Sequence, residues 1–187
     1  MVTAQQQLWE IALDQHGFVT TADARALGVT AHALKLLAQR GTLRREGHGV
    51  YRFERYPASN ADDYQQAVLW TGQSGAVLSH ETALDLLGLA DVNPDRIHVT
   101  VRVGARVRRQ GGEHVVVREE DLLPGDVGWW EGVRCVTAGT AIGQVIEAGA
   151  TQVHLIHQAV ETARERGAIT AGARDALLIR LEARLAR

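Results

Sequence analysis

Several groups that commonly build a functional site are missing from this chain of 187 residues. Cys135 is its single cysteine, so neither an internal disulfide nor a cysteine zinc cluster can form, and a reducing compartment is the default expectation. The opening MVTAQQQLWE has no basic stretch leading into an apolar core, so no secretory signal is read there. No apolar run approaches the ~20 residues that cross a bilayer. These absences lead to the expectation of a soluble cytoplasmic protein without a membrane partner. Glycine is frequent, yet neither G-x-G-x-x-G nor G-x-x-x-x-G-K-[ST] occurs, which removes the phosphate loops. His80-Glu81 begins like H-E-x-x-H, but the second histidine position is Leu84. His154 and His157 share a helical spacing, and two ligands do not make a metal site. With no Ser-His-Asp set supported either, the sequence offers no case for catalysis, a metal or a cofactor.

What is present is an uneven distribution of charge. The whole chain carries −2, which argues against indiscriminate nucleic-acid binding. Within residues 25–56, however, Arg25, Lys35, Arg40, Arg44, Arg45, Arg52 and Arg55 face only Glu46 and Glu54, a net +5. A polyanion would be drawn to that block.

The pattern beneath the charge is more specific. Leu8, Trp9, Ile11, Ala12 and Leu13 recur at helical spacing and predict a first helix ending near His16-Gly17. Thr20 with Asp23 three residues on reads as a capping box opening a short second helix that Gly28 stops. Thr30 caps a third helix from Ala31 to about Arg40, closed by Gly41. A short helix, a glycine turn and a capped helix make a helix-turn-helix. On a wheel of ~100° per residue, Ala33, Leu34 and Leu37 share the inward face, and Ala31, His32, Lys35 and Gln39 lie opposite. Leu43-Arg44-Arg45, a glycine-containing reversal through Gly47-His48-Gly49, and Val50-Tyr51-Arg52-Phe53 read as a β-hairpin, placed where a wing would be. The stretch Tyr56 to Asp62, with its proline and small polar residues, reads as a linker.

Beyond it, Ser79 is expected to cap a helix ending at Gly88, and Ile97–Val101 and His114–Val117 to alternate as strands. Helices are expected over residues 137–148, 153–166 and 173–187, the last carrying Leu177, Leu178, Leu181 and Leu185. The fold class is therefore α+β: a winged helix-turn-helix over residues 1–56, then a mixed α+β domain over 57–187.

The third helix is where chemistry concentrates. A recognition helix offers base edges hydrogen-bonding groups and no net anion. Thr30, Ala31, His32, Lys35 and Gln39, followed by Arg40, meet that demand. Lysine can donate to guanine and glutamine can pair with adenine. Arg44, Arg45, His48 and Arg52 on the hairpin suit an excursion into the minor groove or phosphate contacts, which set register rather than sequence preference. A second basic group, Arg102, Arg106, Arg108, Arg109 and Arg118, reads either as an exposed hairpin rim or as a further contact for phosphates or an acidic protein. Cys135 reads as a small buried residue.

The order of short motifs resembles one family. Gly17-Phe18-Val19-Thr20-Thr21, Ala26-Leu27-Gly28-Val29, Arg40-Gly41-Thr42-Leu43 and Gly49-Val50-Tyr51-Arg52 look like the winged-helix domain of AbiEi-family antitoxins. Leu78-Ser79-His80-Glu81-Thr82-Ala83-Leu84, Leu87-Gly88-Leu89, Ile97–Val101 and 133–141 are similar to segments of that family's second domain. The resemblance implies the antitoxin of a type IV toxin–antitoxin system. Such a protein represses its own operon at inverted repeats of double-stranded DNA and opposes a nucleotidyltransferase-like toxin. His32, Lys35, Gln39, Arg44, Arg45 and Arg52 would then carry operator binding. Two departures stand out: His48, where a basic residue often precedes Gly-Val-Tyr, and an ending on a helix where many relatives continue into a nuclease-like domain. A stand-alone winged-helix regulator, whose second domain senses a ligand or mediates self-association, is the alternative.

Overall fold

The computed structural model describes residues 3–107 and 112–186. The chain divides into two compact units. The first runs through Ala76, and the second takes the rest, apart from short returns at Arg106, Val107 and Gly112 and at Glu131–Val133 that group with the first.

In the first unit α1 (Ala4–Leu13) leads into β1 (Phe18–Thr20), α2 (Thr21–Ala26), α3 (Ala31–Gln39), β2 (Leu43–Gly47), β3 (Val50–Phe53) and α4 (Asp62–Trp70). The capping box is present: Asp23 N–H donates to Thr20 Oγ1 at 3.1 Å, and Thr20 N–H donates to Asp23 Oδ2 at 2.8 Å. The three strands form one antiparallel sheet in the order β1-β3-β2. Leu8, Ala12, Val19, Ala24, Leu34, Leu37, Leu43 and Phe53 interlock in a single core. This is a winged helix-turn-helix. α1 stops earlier than the sequence pattern suggests, because His16 and Gly17 adopt left-handed backbone (φ 51° and 83°) and turn the chain into β1.

This unit does not end at residue 56. The segment read as a linker is fastened: Ala61 is fully buried, and Arg52 donates to the carbonyls of Tyr56 and Pro57 and pairs with Asp62. α4 consequently packs on β1 and β3 rather than opening the next domain.

The second unit is built on a five-stranded mixed sheet, ordered β6-β5-β4-β8-β7: β4 (Val77–Leu78), β5 (Ile97–Val101), β6 (Val115–Glu119), β7 (Val127–Trp130) and β8 (Val133–Val136). Around it lie α5 (His80–Leu86), α6 (Ala138–Ala148), α7 (Val153–Glu165) and α8 (Ala171–Leu185). Leu78, Leu84, Val99, Ile142, Ile146, Ile156 and Leu181 fill the core. Two local expectations need correction. β5 and β6 pair in parallel, with Ile97 opposite Val115, so Arg102 and Arg106 do not sit on a hairpin rim; a parallel neighbour requires a crossover. β7, which the sequence pattern does not mark, precedes β8. Ser79 makes no side-chain cap to α5; its Oγ sits 3.1 Å from His80 Nδ1 instead.

Candidate nucleic-acid interface

α3 begins with a made cap, Ala33 N–H donating to Thr30 Oγ1 at 3.2 Å. That bond satisfies one of the free amides every helix start leaves. Leu34 and Leu37 are buried, which fixes the rotation of the helix; Ala31, His32, Lys35, Gln39 and Arg40 are consequently exposed along its other side. The helix contains no aspartate or glutamate. The outer surface therefore offers an ammonium, an imidazole, an amide and a guanidinium with no competing carboxylate on the same element.

The wing is held from two sides. Thr21 N–H donates to Gly49 O at 2.9 Å, tying the hairpin turn to the start of α2. Gly49 has φ 73°, and a Cβ there would come within 2.8 Å of Thr21 Oγ1, so this position requires glycine twice over. From the other side Gln66 of α4 donates to Glu46 O at 3.2 Å. The hairpin register puts Leu43 opposite Phe53, both buried, and Arg44 opposite Arg52.

The four wing residues then part company. Arg45 is exposed, and its Nε donates to Gly47 O at 3.2 Å. Arg44 is exposed too, but its Nε lies 2.6 Å from Glu46 Oε1 and 4.0 Å from Glu54 Oε1. The hydrogen bond to Glu46, and then the charges of Glu46 and Glu54, hold its guanidinium above the ordinary arginine pKa. His48 is exposed at the turn. Arg52 is the exception, with a side chain only 8% exposed. It lies across the rings of Phe18 and Tyr56, 5.4 and 5.7 Å from their centroids, and its Nη2 reaches Asp62 Oδ2 at 2.8 Å. The expectation that Arg52 reaches a phosphate is corrected: it is a buried strut between β3 and the segment leading into α4. Its partner Phe18, opposite it in β1, lies far away in the chain, so neighbouring residues could not reveal the burial. Asp62 and Gln66, which position the wing, were missed for the same reason; the only local signal was two acids opening a helix.

The second basic group is not a clean cationic surface. Arg108 and Arg109 lie outside the described residues. Arg102 and Arg118 are exposed in the second unit, and Arg106 is exposed in a segment grouped with the first. Arg102 has Asp121 at 3.9 Å, and Glu119 and Asp121 accept from the amides of Gly104 and Val103. Carboxylates thus accompany Arg102 and the turn that follows it.

Elsewhere, His154 and His157 are exposed on α7, and among the described residues no group of three or more His, Cys, Asp or Glu is arranged to hold a metal. Burial pushes the Cys135 thiol up to about 12, which suits a packing residue and not a nucleophile. No helix among the described residues is long and apolar enough to cross a membrane.

A capped, acid-free helix beside a braced basic hairpin defines the class: a winged-helix regulator of the DNA-binding kind. Residues 6–53 match the family model described as transcriptional regulator, AbiEi antitoxin, the family whose motifs the sequence resembles. No curated protein matches the chain significantly. Among solved structures it is similar to the crystal structure of the RV2827C protein from Mycobacterium tuberculosis. The two share 18% identity at a TM-score of 0.54, over 95% of this chain and 72% of that one. At that identity the likeness speaks to the fold, and it extends through both units.

Proposed function

We propose that the chain is an autoregulating antitoxin: it binds inverted repeats in its own promoter and opposes a nucleotidyltransferase-like toxin encoded beside it. The observation that carries the DNA half is the outer side of α3, where His32, Lys35, Gln39 and Arg40 stand exposed with no acid among them. In this reading Thr30 and Ala31 enter the major groove with them, and Ala31 meets a thymine methyl. Arg44, Arg45 and His48 approach phosphates from the wing. The toxin half rests on the family match over residues 6–53. No catalytic step is assigned to the chain.

Electrophoretic mobility shift on the chain's own upstream DNA tests the reading. Wild type should form a specific complex, and Lys35→Ala should lose about 1–3 kcal/mol of discrimination at one base pair. A complex that Lys35→Ala leaves unaltered in affinity and preference would remove α3 from the interface. A second reading, a stand-alone regulator whose second unit senses a small molecule, is favoured by one observation: the second unit contains a polar cavity of about 780 Å³. Co-expression with the neighbouring gene product separates the two, since an antitoxin restores growth and a sensor does not.

A further inference from the structure

That cavity lies wholly within the second unit, so what it binds stands or falls apart from the DNA reading. Its volume, about 780 Å³, falls in the range of small-molecule sites, roughly 300–1,000 Å³. Gly139 and Gly143, one turn apart on α6, leave that side of the helix without bulk. Its charged lining consists of Glu119, Glu120, Asp126 and Glu147 against Arg118 and Arg180.

Most of these groups are already engaged. Arg180 Nη2 donates to Glu147 Oε1 at 3.1 Å. Glu119 accepts from Gly104 N–H and Asp126 from Leu123 N–H. Glu120 is different. Its Oε2 accepts from Gln144 Nε2 at 2.6 Å, and Oε1 has no partner among the described residues. Gln144 is only 5% exposed, and its Oε1 accepts from His80 N–H, so the amide that orients Glu120 is itself fixed from both ends.

His80 supplies the second free group. It is 6% exposed and lines the cavity, yet its Nε2 has no hydrogen-bond partner among the described residues. Nδ1 lies 3.1 Å from Ser79 Oγ; with Nδ1 donating there, Nε2 presents a lone pair. The groups facing the ring are His98, Glu81 and Arg118. Burial above all, and then the neighbouring His98, holds the imidazole down at about 4, so it is neutral at pH 7.

We infer that this cavity binds a small organic cation bearing a guanidinium or primary ammonium group, which donates to Glu120 Oε1 and His80 Nε2. An anion would instead meet four carboxylates against two guanidiniums, one of them already paired. The volume is that of a site for a free small molecule, and an arginine-rich peptide tests the other source of the same group.

Isothermal titration of the full chain with agmatine and with spermidine, at millimolar ligand and low salt, tests this. Wild type should bind at least one of them saturably. Glu120→Gln should weaken binding about tenfold or more, as for loss of a hydrogen bond to a charged group. His80→Asn should do likewise, asparagine tolerating the left-handed backbone of this position (φ 52°). Circular dichroism and thermal melts of the unliganded variants check that both are folded. Should either be unfolded, Glu147→Gln, altering an exposed carboxylate, is expected to give a smaller but measurable loss. Failure of wild type to bind either cation, undiminished binding by the folded variants, or tighter binding of citrate or phosphate would overturn the assignment. So would binding of an arginine-rich peptide without binding of the free cations.

Discussion

The exposed arginines of α3 and the wing and three arginines of the second unit stand in different surroundings. Among the exposed arginines of α3 and the wing, Arg40 and Arg45 stand out from elements whose acids are few, and Arg44 is met by carboxylates, at Glu46 and Glu54. In the second unit three arginines are shadowed: Arg102 by Asp121, Arg174 by Glu161 and Asp175, Arg180 by Glu147. Exposed pairs of that sort contribute little stability, typically up to ~1 kcal/mol. Their larger effect is to cancel the field that would attract phosphate. A count of basic residues therefore says less about nucleic-acid binding than the distance from each base to its nearest acid.

Arg52 provides the strongest way to break this comparison, because it is a first-unit arginine with a second-unit style of partner. Arg52→Ala leaves Asp62 half-buried without its cation and should cost about 3–5 kcal/mol in chemical denaturation. Any loss of DNA binding should follow the loss of folded protein. If Arg52→Ala unfolds like wild type but no longer binds DNA, the strut assignment is wrong.

Next in size is the division between Arg45 and Arg44. Arg45→Ala should weaken all DNA sequences alike and reduce the slope of log affinity against log salt by about 1. Arg44→Ala should do less, because Glu46 already offsets its charge. Glu46→Gln should raise affinity by releasing Arg44; a decrease would show the pair to be a preformed phosphate clamp.

The smallest effect, near neutrality, concerns the second unit. His80 has a folded pKa of about 4, lowered from 6.5 chiefly by burial. In the acid range the unfolded chain therefore binds the extra proton first. His80 should thus cost stability progressively as pH falls from about 6.5 towards 4, and little between pH 8 and 7. Melting temperatures across that range, compared with those of His80→Asn, should show a shallower acid decline in the variant.

What could be read from the residues divides along the same physical line. The caps at Thr20 and Thr30, the outward face of α3 and the wing turn at Gly49 depend on contacts within a few positions. Local spacing was enough to find them. The burial of Arg52 depends on Phe18 and Asp62, the brace at Glu46 on Gln66, and the parallel register of β5 and β6 on a crossover. None of these leaves a periodic trace, because the partner that decides the outcome is distant in the chain. In the candidate cavity, Glu120 was one acid in a run of three, and nothing near it announced that Gln144 would link it to the backbone N–H of His80.

The attachment of α4 to the wing sets the smallest portable DNA-reading head. A fragment cut at residue 56 would retain every basic residue of the hairpin, yet Arg52 would lose its counterion and Glu46 its amide donor. Anyone grafting this head onto another effector should make the junction after Ala76, and should treat the stretch from Pro57 to Asp62 as a hinge pin rather than a spacer to be lengthened.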